Sequence, residues 1–438
     1  MDCCGGWVAA GRRVGPGRMG TDIVLKRMRR YLQRYQWYLW MRELVPAVRG
    51  VQRQFHGGVI SLHAAGNPHG NVLVSYDNGG LLSKLRGQPI PTSHPQYYKT
   101  MVMAQTFVDI GYDVDVIHCE NQKFVPWKSY DVVVDTRSNL QRLASYLPSS
   151  CIKVLHCDTA QLVYQNVAEM TRVLALQARK GVTLPLNRLE TPHLGVERAD
   201  YLTTCGNEFT MNTYAYSGKP IFRLPMVAQK MWPWPETKDF EASRHRFLFF
   251  GSRGMVHKGL DLVLEAFAQM PECQLTIVGP VYDEPEFVNV YGKELFHTSN
   301  ITCVGWLDKF SDDFRVILEQ SVAHVFPSCS EAGAAAVIET MAAGVIPVVT
   351  YEASIDVENF GVLLADASIE TIIRQVREIA AMPAEELGRR AHKAWEAAHC
   401  NHTPEKFERA YRETMEMILA KHGKRSRKFE CLCRGCVV

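Results

Sequence analysis

No run in this 438-residue chain stays apolar over the about eighteen residues that a membrane-spanning helix needs, and residues 1–20 lack an apolar signal core. A spanning segment and a secretory leader are therefore not expected, and the expected compartment is the cytoplasm. Charge of one sign is missing as well. The 49 Lys and Arg against 46 Asp and Glu leave a formal +3, so no global field points to nucleic acid. The 13 cysteines are scattered, several inside apolar runs (Cys119, Cys151, Cys157, Cys205, Cys273, Cys303), and do not form the framework of a disulfide-rich domain. No G-x-G-x-x-G follows the first strand of either half, which argues against a nicotinamide dehydrogenase.

What is present is enough apolar residue, 47% of the chain, for two or three domains. Residues 1–20 are glycine-rich, basic and patternless. From Thr21 to Val48 a helical pattern mixes Lys26, Arg27, Arg29, Arg30, Arg34 and Arg42 with Tyr31, Tyr35, Trp37, Tyr38 and Trp40. That mixture suits an anionic membrane surface, and equally a helix packed on the protein with solvated arginines.

The globular part is expected to start near Asn71. Apolar runs at Asn71 to Tyr76, Tyr112 to His118, Asp131 to Val134, Ile152 to Leu155 and Tyr201 to Thr204 alternate with helical stretches. Lys219 to Pro235, rich in proline and tryptophan, reads as a linker. A second series follows at Phe247 to Phe250, Leu275 to Val278, Ile301 to Val304, Ala323 to Phe326, Ile346 to Val349 and Val362 to Leu364. The expected class is α/β, with two doubly wound parallel-sheet (Rossmann-like) domains facing across a cleft. The expected boundaries are 1–50 for a basic extension with an amphipathic helix, 51–228 and 229–403 for the two domains, and 404–438 for a C-terminal helix and basic tail.

The stretch Pro327 to Val349, PSCSEAGAAAVIETMAAGVIPVV, reads as loop, small-residue helix (Ala334 to Ala343), glycine stop and strand. Glu331 lies in the loop and Glu339 two turns up the helix, so the pair can hold two ends of one extended ligand. Between them, the amides of residues 333 to 336 are expected to form an anion site, with Gly333 allowing close approach. Upstream, Phe249-Phe250-Gly251-Ser252-Arg253 leads to Lys258-Gly259, which sets two cations at the mouth of the sheet. Alone these would be solvated side chains; together with the glutamates they suit a diphosphate flanked by two polyhydroxylated rings.

These motifs, in this order, resemble the retaining GT-B glycosyltransferases of family 4, closely over residues 245 to 400 and only in its βα rhythm and one histidine before that. The resemblance implies that Arg253 and Lys258 bind the diphosphate of a nucleoside-diphosphate sugar. It assigns Glu331 to the sugar hydroxyls, Glu339 to the nucleotide ribose, and the backbone of Gly333 and Ala334 to the sugar and phosphate. His156, at the end of Ile152-Lys-Val-Leu-His156, takes the place of a histidine lining the family's catalytic cleft. Gly79-Gly80 stands for its glycine loop, here followed by a longer segment suited to acceptor recognition. Where the family reads Glu-Gly-Phe-Gly, this chain has Glu331-Ala332-Gly333-Ala334. The implied activity is retaining transfer, without metal or other cofactor, to a carbohydrate or lipid-linked acceptor at the inner membrane face. A GT-B epimerase and a non-catalytic nucleotide-sugar-binding protein are the alternatives.

Two further patterns point elsewhere. Asp113-Val-Asp115 matches a metal-binding Asp-x-Asp, but both side chains fall on one face within a strand rather than at its end. Cys431, Cys433 and Cys436 lack a fourth ligand for zinc, and the last four residues do not begin with cysteine.

Overall fold

The computed structural model describes residues 58–91 and 94–424, all within one compact unit, Arg53–Val438. The basic aromatic stretch expected at the N-terminus and Cys431, Cys433 and Cys436 lie outside the described residues. No helix among those described is long and apolar enough to cross a membrane.

Two parallel sheets carry the fold, as the alternating pattern requires. The first has seven strands in the order β1-β3-β2-β4-β5-β6-β7. They are β1 (Ile60–Leu62), β2 (Asn71–Tyr76), β3 (Asp113–His118), β4 (Val132–Asp135), β5 (Ile152–Cys157), β6 (Tyr201–Thr204) and β7 (Ile221–Arg223). All pairs are parallel except β1 with β3. The second sheet runs β10-β9-β8-β11-β12-β13, all parallel. Its strands are β8 (Arg246–Phe250), β9 (Gln274–Val278), β10 (Ile301–Gly305), β11 (Ala323–Phe326), β12 (Ile346–Val349) and β13 (Val362–Leu363). The central strands β4, β11 and β12 are buried at every position because helices cover both sheet faces, so they read as unbroken apolar runs.

In each sheet the chain leaves a central strand first toward one edge and then toward the other. The switch falls between β2 and β4 in the first sheet and between β8 and β11 in the second. Loops at the carboxyl ends of these strands diverge there and open a crevice. The two switch points face each other across the cleft.

Several elements fall where the sequence pattern does not place them. Strand β1 already lies before Asn71, and β7 lies inside the expected linker. Gly79 and Gly80, expected in a glycine loop, open the helix Gly79–Leu85. A glycine is needed at 79 and 80 because a Cβ there would come within 2.7 Å of the Tyr97 ring and 2.9 Å of its carbonyl oxygen. The expected C-terminal helix, Pro404–Lys421, packs against the first domain. Tyr98 donates to Glu408 at 2.6 Å and Arg412 to Asp109 at 2.8 Å.

Candidate active site

The cleft between the sheets is walled by the loops after β5, β8, β9, β10 and β11 and by the start of the helix Pro95–Asp109. It holds about 220 Å³. Two buried ion pairs dominate the wall formed by the second domain.

Lys258 and Glu331 form the first pair. Gly251 leaves room for the lysine stem, since a Cβ there would sit 3.1 Å from Lys258 Cδ. Lys258 Nζ donates to Glu331 Oε1 at 2.7 Å, and their side chains are 6% and 13% exposed. Ser328 Oγ donates to the same oxygen at 3.0 Å, so Ser328 supports the carboxylate. Burial pushes the Glu331 carboxyl up, but Lys258, His257 and Arg188 outweigh it and hold it at about 2. Glu331 is therefore an anion throughout the physiological range.

The second pair is Lys309 and Glu339. Lys309, in the loop after β10, donates to Glu339 Oε1 at 2.6 Å and to Gln229 Oε1 at 2.5 Å. The Gln229 and Lys230 amides donate to the two Glu339 oxygens at 3.0 and 3.4 Å. Glu339 is only 4% exposed. Its carboxylate is thus fixed in place, facing the cleft.

Between the two glutamates the chain differs from the expected four-amide cradle. The helix is Ala335–Met341, and the Ala334 amide is already donated to Ala353 O at 3.1 Å. Gly333 has φ +83°, and a Cβ on it would lie 2.7 Å from the Cys205 carbonyl oxygen of the first domain. The glycine is thus required by domain contact, and Gly333 and Ala334 still line the cleft.

Two sequence-predicted residues are not brought to the wall. Arg253 is 68% exposed and pairs with Asp283 at 3.0 Å, outside the cleft lining. The loop carries one flexible cation outward while Lys258, five residues on, turns inward. His156 is fully buried behind the wall. Its Nδ1 meets Thr203 Oγ1 at 3.0 Å and its Nε2 lies 3.5 Å from Lys99 Nζ. Burial and then Lys99 lower its pKa to about 3, so it is neutral. Gly79 and Gly80 are likewise absent from the lining.

In their place the cleft contains residues that sequence reasoning missed. Lys99 projects from the helix Pro95–Asp109, and Arg188 from the loop that follows the helix Leu162–Lys180. Arg137 and Asp158 pair at 2.6 Å, with Gln96 Nε2 donating to the other Asp158 oxygen at 2.9 Å. Burial alone would raise the Asp158 carboxyl, but Arg137 and then Lys99 hold it below its ordinary value. Asp158 and Lys309 lie just past the carboxyl ends of β5 and β10, a placement a strand-end rule can find. No local signal marks Arg188. Exposed Trp306 and half-buried Leu307 and Phe250 add an apolar wall.

Asp113 and Asp115 are occupied within the first domain. Asp113 accepts the Ala64 amide at 3.0 Å; Asp115 accepts Ser61 and Tyr130 hydroxyls at 2.7 and 2.6 Å. The lone Asp-x-Asp thus anchors β1 and a nearby tyrosine.

Residues 244–381 match the family model described as glycosyl transferases group 1. The match covers the domain that carries both Lys–Glu pairs. The fold is GT-B. Among solved structures of this fold, sucrose-phosphate synthase from Thermosynechococcus elongatus aligns over 81% of this chain and all of its own, at 12% identity and a TM-score of 0.56. WaaG, a glycosyltransferase of lipopolysaccharide biosynthesis, aligns over 78% and 98% at 15% identity and 0.50. Anabaena HepE, solved with UDP and glucose, aligns over 79% and 99% at 11% identity and 0.50. The chain spans about half the length of TarM (54%), which it also matches. No curated protein matches the chain in sequence.

Proposed function

We propose that the protein is a glycosyltransferase that moves a hexosyl group from a nucleoside-diphosphate sugar to a carbohydrate or lipid-linked acceptor with retention of configuration, as in family 4. The observation that carries this reading is the pair of buried Lys–Glu contacts at the carboxyl ends of the second sheet, with a facing wall from the first. The UDP and glucose in the HepE structure support it.

In this reading Lys258, Lys309 and Arg188 supply positive charge where the diphosphate leaves. Glu331 accepts the sugar hydroxyls and Glu339 the ribose diol, using lone pairs their lysines leave free. Exposed Trp306 offers a flat face to the base. The bond from the anomeric carbon to the diphosphate oxygen breaks as the acceptor oxygen attacks from the same side, and its proton passes to the departing phosphate. Arg253 and His156 take no direct part. Membrane association through residues 21–48 belongs to the proposal on sequence grounds alone.

The test is release of UDP from UDP-sugars in the presence of acceptor. Glu331→Gln is expected to abolish transfer while UDP still raises the melting temperature. UDP binding by wild type with no UDP release under any acceptor would leave a binding protein, and conversion of UDP-sugar without acceptor an epimerase. The anomeric configuration of the product decides retention. An unchanged partition onto anionic vesicles after deletion of residues 1–48 would remove the membrane component.

A further inference from the structure

Every carboxylate that pairs with a cation in the cleft is already taken. Asp158 holds Arg137 and Gln96, Glu331 holds Lys258, and Glu339 holds Lys309. Lys99 is left over. It lines the cleft, is 2% exposed, and among the described residues has no carboxylate within 4.0 Å. The groups that touch its ammonium are His156 Nε2 at 3.5 Å, Cys205 Sγ at 4.0 Å and the face of Tyr76 at 5.6 Å, while Asp158 acts on it only through space and already carries Arg137 and Gln96. The Tyr76 hydroxyl is itself buried without a hydrogen-bond partner. A buried ammonium that shares its nearest carboxylate with an arginine gains from a further anion in direct contact.

That anion is not expected to be the donor's diphosphate. Lys258 and Lys309 stand on the second domain with the glutamates, and Arg188 acts on the Lys258–Glu331 pair from across the cleft, whereas Lys99 stands apart from that pair, beside β2, β5 and β6. We propose that Lys99 marks a second anion subsite, and that the acceptor carries a phosphate or carboxylate group which occupies it. This rests on the donor reading given above and adds a substrate class to it. A neutral sugar acceptor leaves Lys99 unpaired; an anionic one neutralises it while bringing its own hydroxyl to the opposite wall. Lys99 is a specificity residue in this account, not a catalytic one.

The experiment uses the full chain saturated with UDP, so that the donor cations are occupied. Inorganic phosphate and, separately, acetate are then titrated against sodium chloride of equal ionic strength, following the melting temperature. The expected result is a further saturable rise of roughly 2–4 °C with one of the two anions, lost in Lys99→Met. The anion that acts identifies the group. The subsite is overturned if neither anion exceeds chloride, or if Lys99→Met responds as wild type does, which would make it an adventitious ion only. Should Lys99→Met not fold, the wild-type titration alone decides. If UDP itself fails to stabilise the chain, the donor reading fails instead, and the anion titrations of wild type and Lys99→Met are compared without nucleotide.

Discussion

Replacing Lys258 with methionine removes the positive member of the best-defined ion pair and keeps most of its volume. At 2.7 Å, with an effective permittivity of about 20, the attraction between Lys258 and Glu331 is about 6 kcal/mol before desolvation. Desolvation offsets much of this, but losing one partner leaves the other buried and uncompensated, a loss of ~3 kcal/mol. The pH dependence separates this cause from lost packing. In the wild type the Glu331 carboxyl is depressed to about 2 from an ordinary 4.5. Its stabilisation is therefore complete above about pH 4.5 and is lost as pH falls toward 2. In Lys258→Met burial becomes the dominant influence and moves the carboxyl the other way. A raised carboxyl stabilises most when protonated, so the variant recovers relative stability as pH falls. The stability gap is expected to be widest at pH 7.5 and to narrow below pH 5, read by urea unfolding at each pH. A gap under ~1 kcal/mol at pH 7.5, or one constant down to pH 4, would refute the electrostatic account.

Gly333→Ala is expected to cost more than ~2 kcal/mol in urea unfolding, because φ is +83° and the new Cβ would meet Cys205 O at 2.7 Å. Gly181→Ala, at φ +69° with open space around it, is the control and should cost only about 1 kcal/mol. Glu339→Gln releases Lys309 and weakens a charged contact to the nucleotide; calorimetry should show UDP affinity reduced about tenfold. Arg253→Ala should change stability by less than about 0.5 kcal/mol, since Arg253 and Asp283 are both well exposed. UDP affinity should be unaffected by it as well; a large loss would return Arg253 to the donor site.

Much of the architecture was legible because burial on both faces forces β4, β11 and β12 to be continuously apolar, and proline and glycine mark their ends. The short peripheral strands were not. β1 has three residues and pairs antiparallel at an edge, and β7 sits among prolines, so neither carries a periodic signal. Of the site, Lys258, Glu331 and Glu339 were legible because they belong to one domain and fixed spacings along it. Arg253 and His156 were misplaced for a common reason. Spacing tells which loop a side chain leaves, not whether it turns into the cleft, out to solvent or back into the core.

The sequence by itself determined two α/β halves, the strands that support the cleft and the glutamates that mark one wall, because periodicity and strand-end position are local properties of the chain. Only the tertiary structure decided which cations face them. Lys99, Arg137, Arg188 and Lys309 come from four separate segments, and their charges act on one site only because two sheets are folded face to face. It also decided that Lys99, buried in the cleft wall, has no carboxylate within 4.0 Å among the described residues, a fact of pairing across distant segments that no reading along the chain contains.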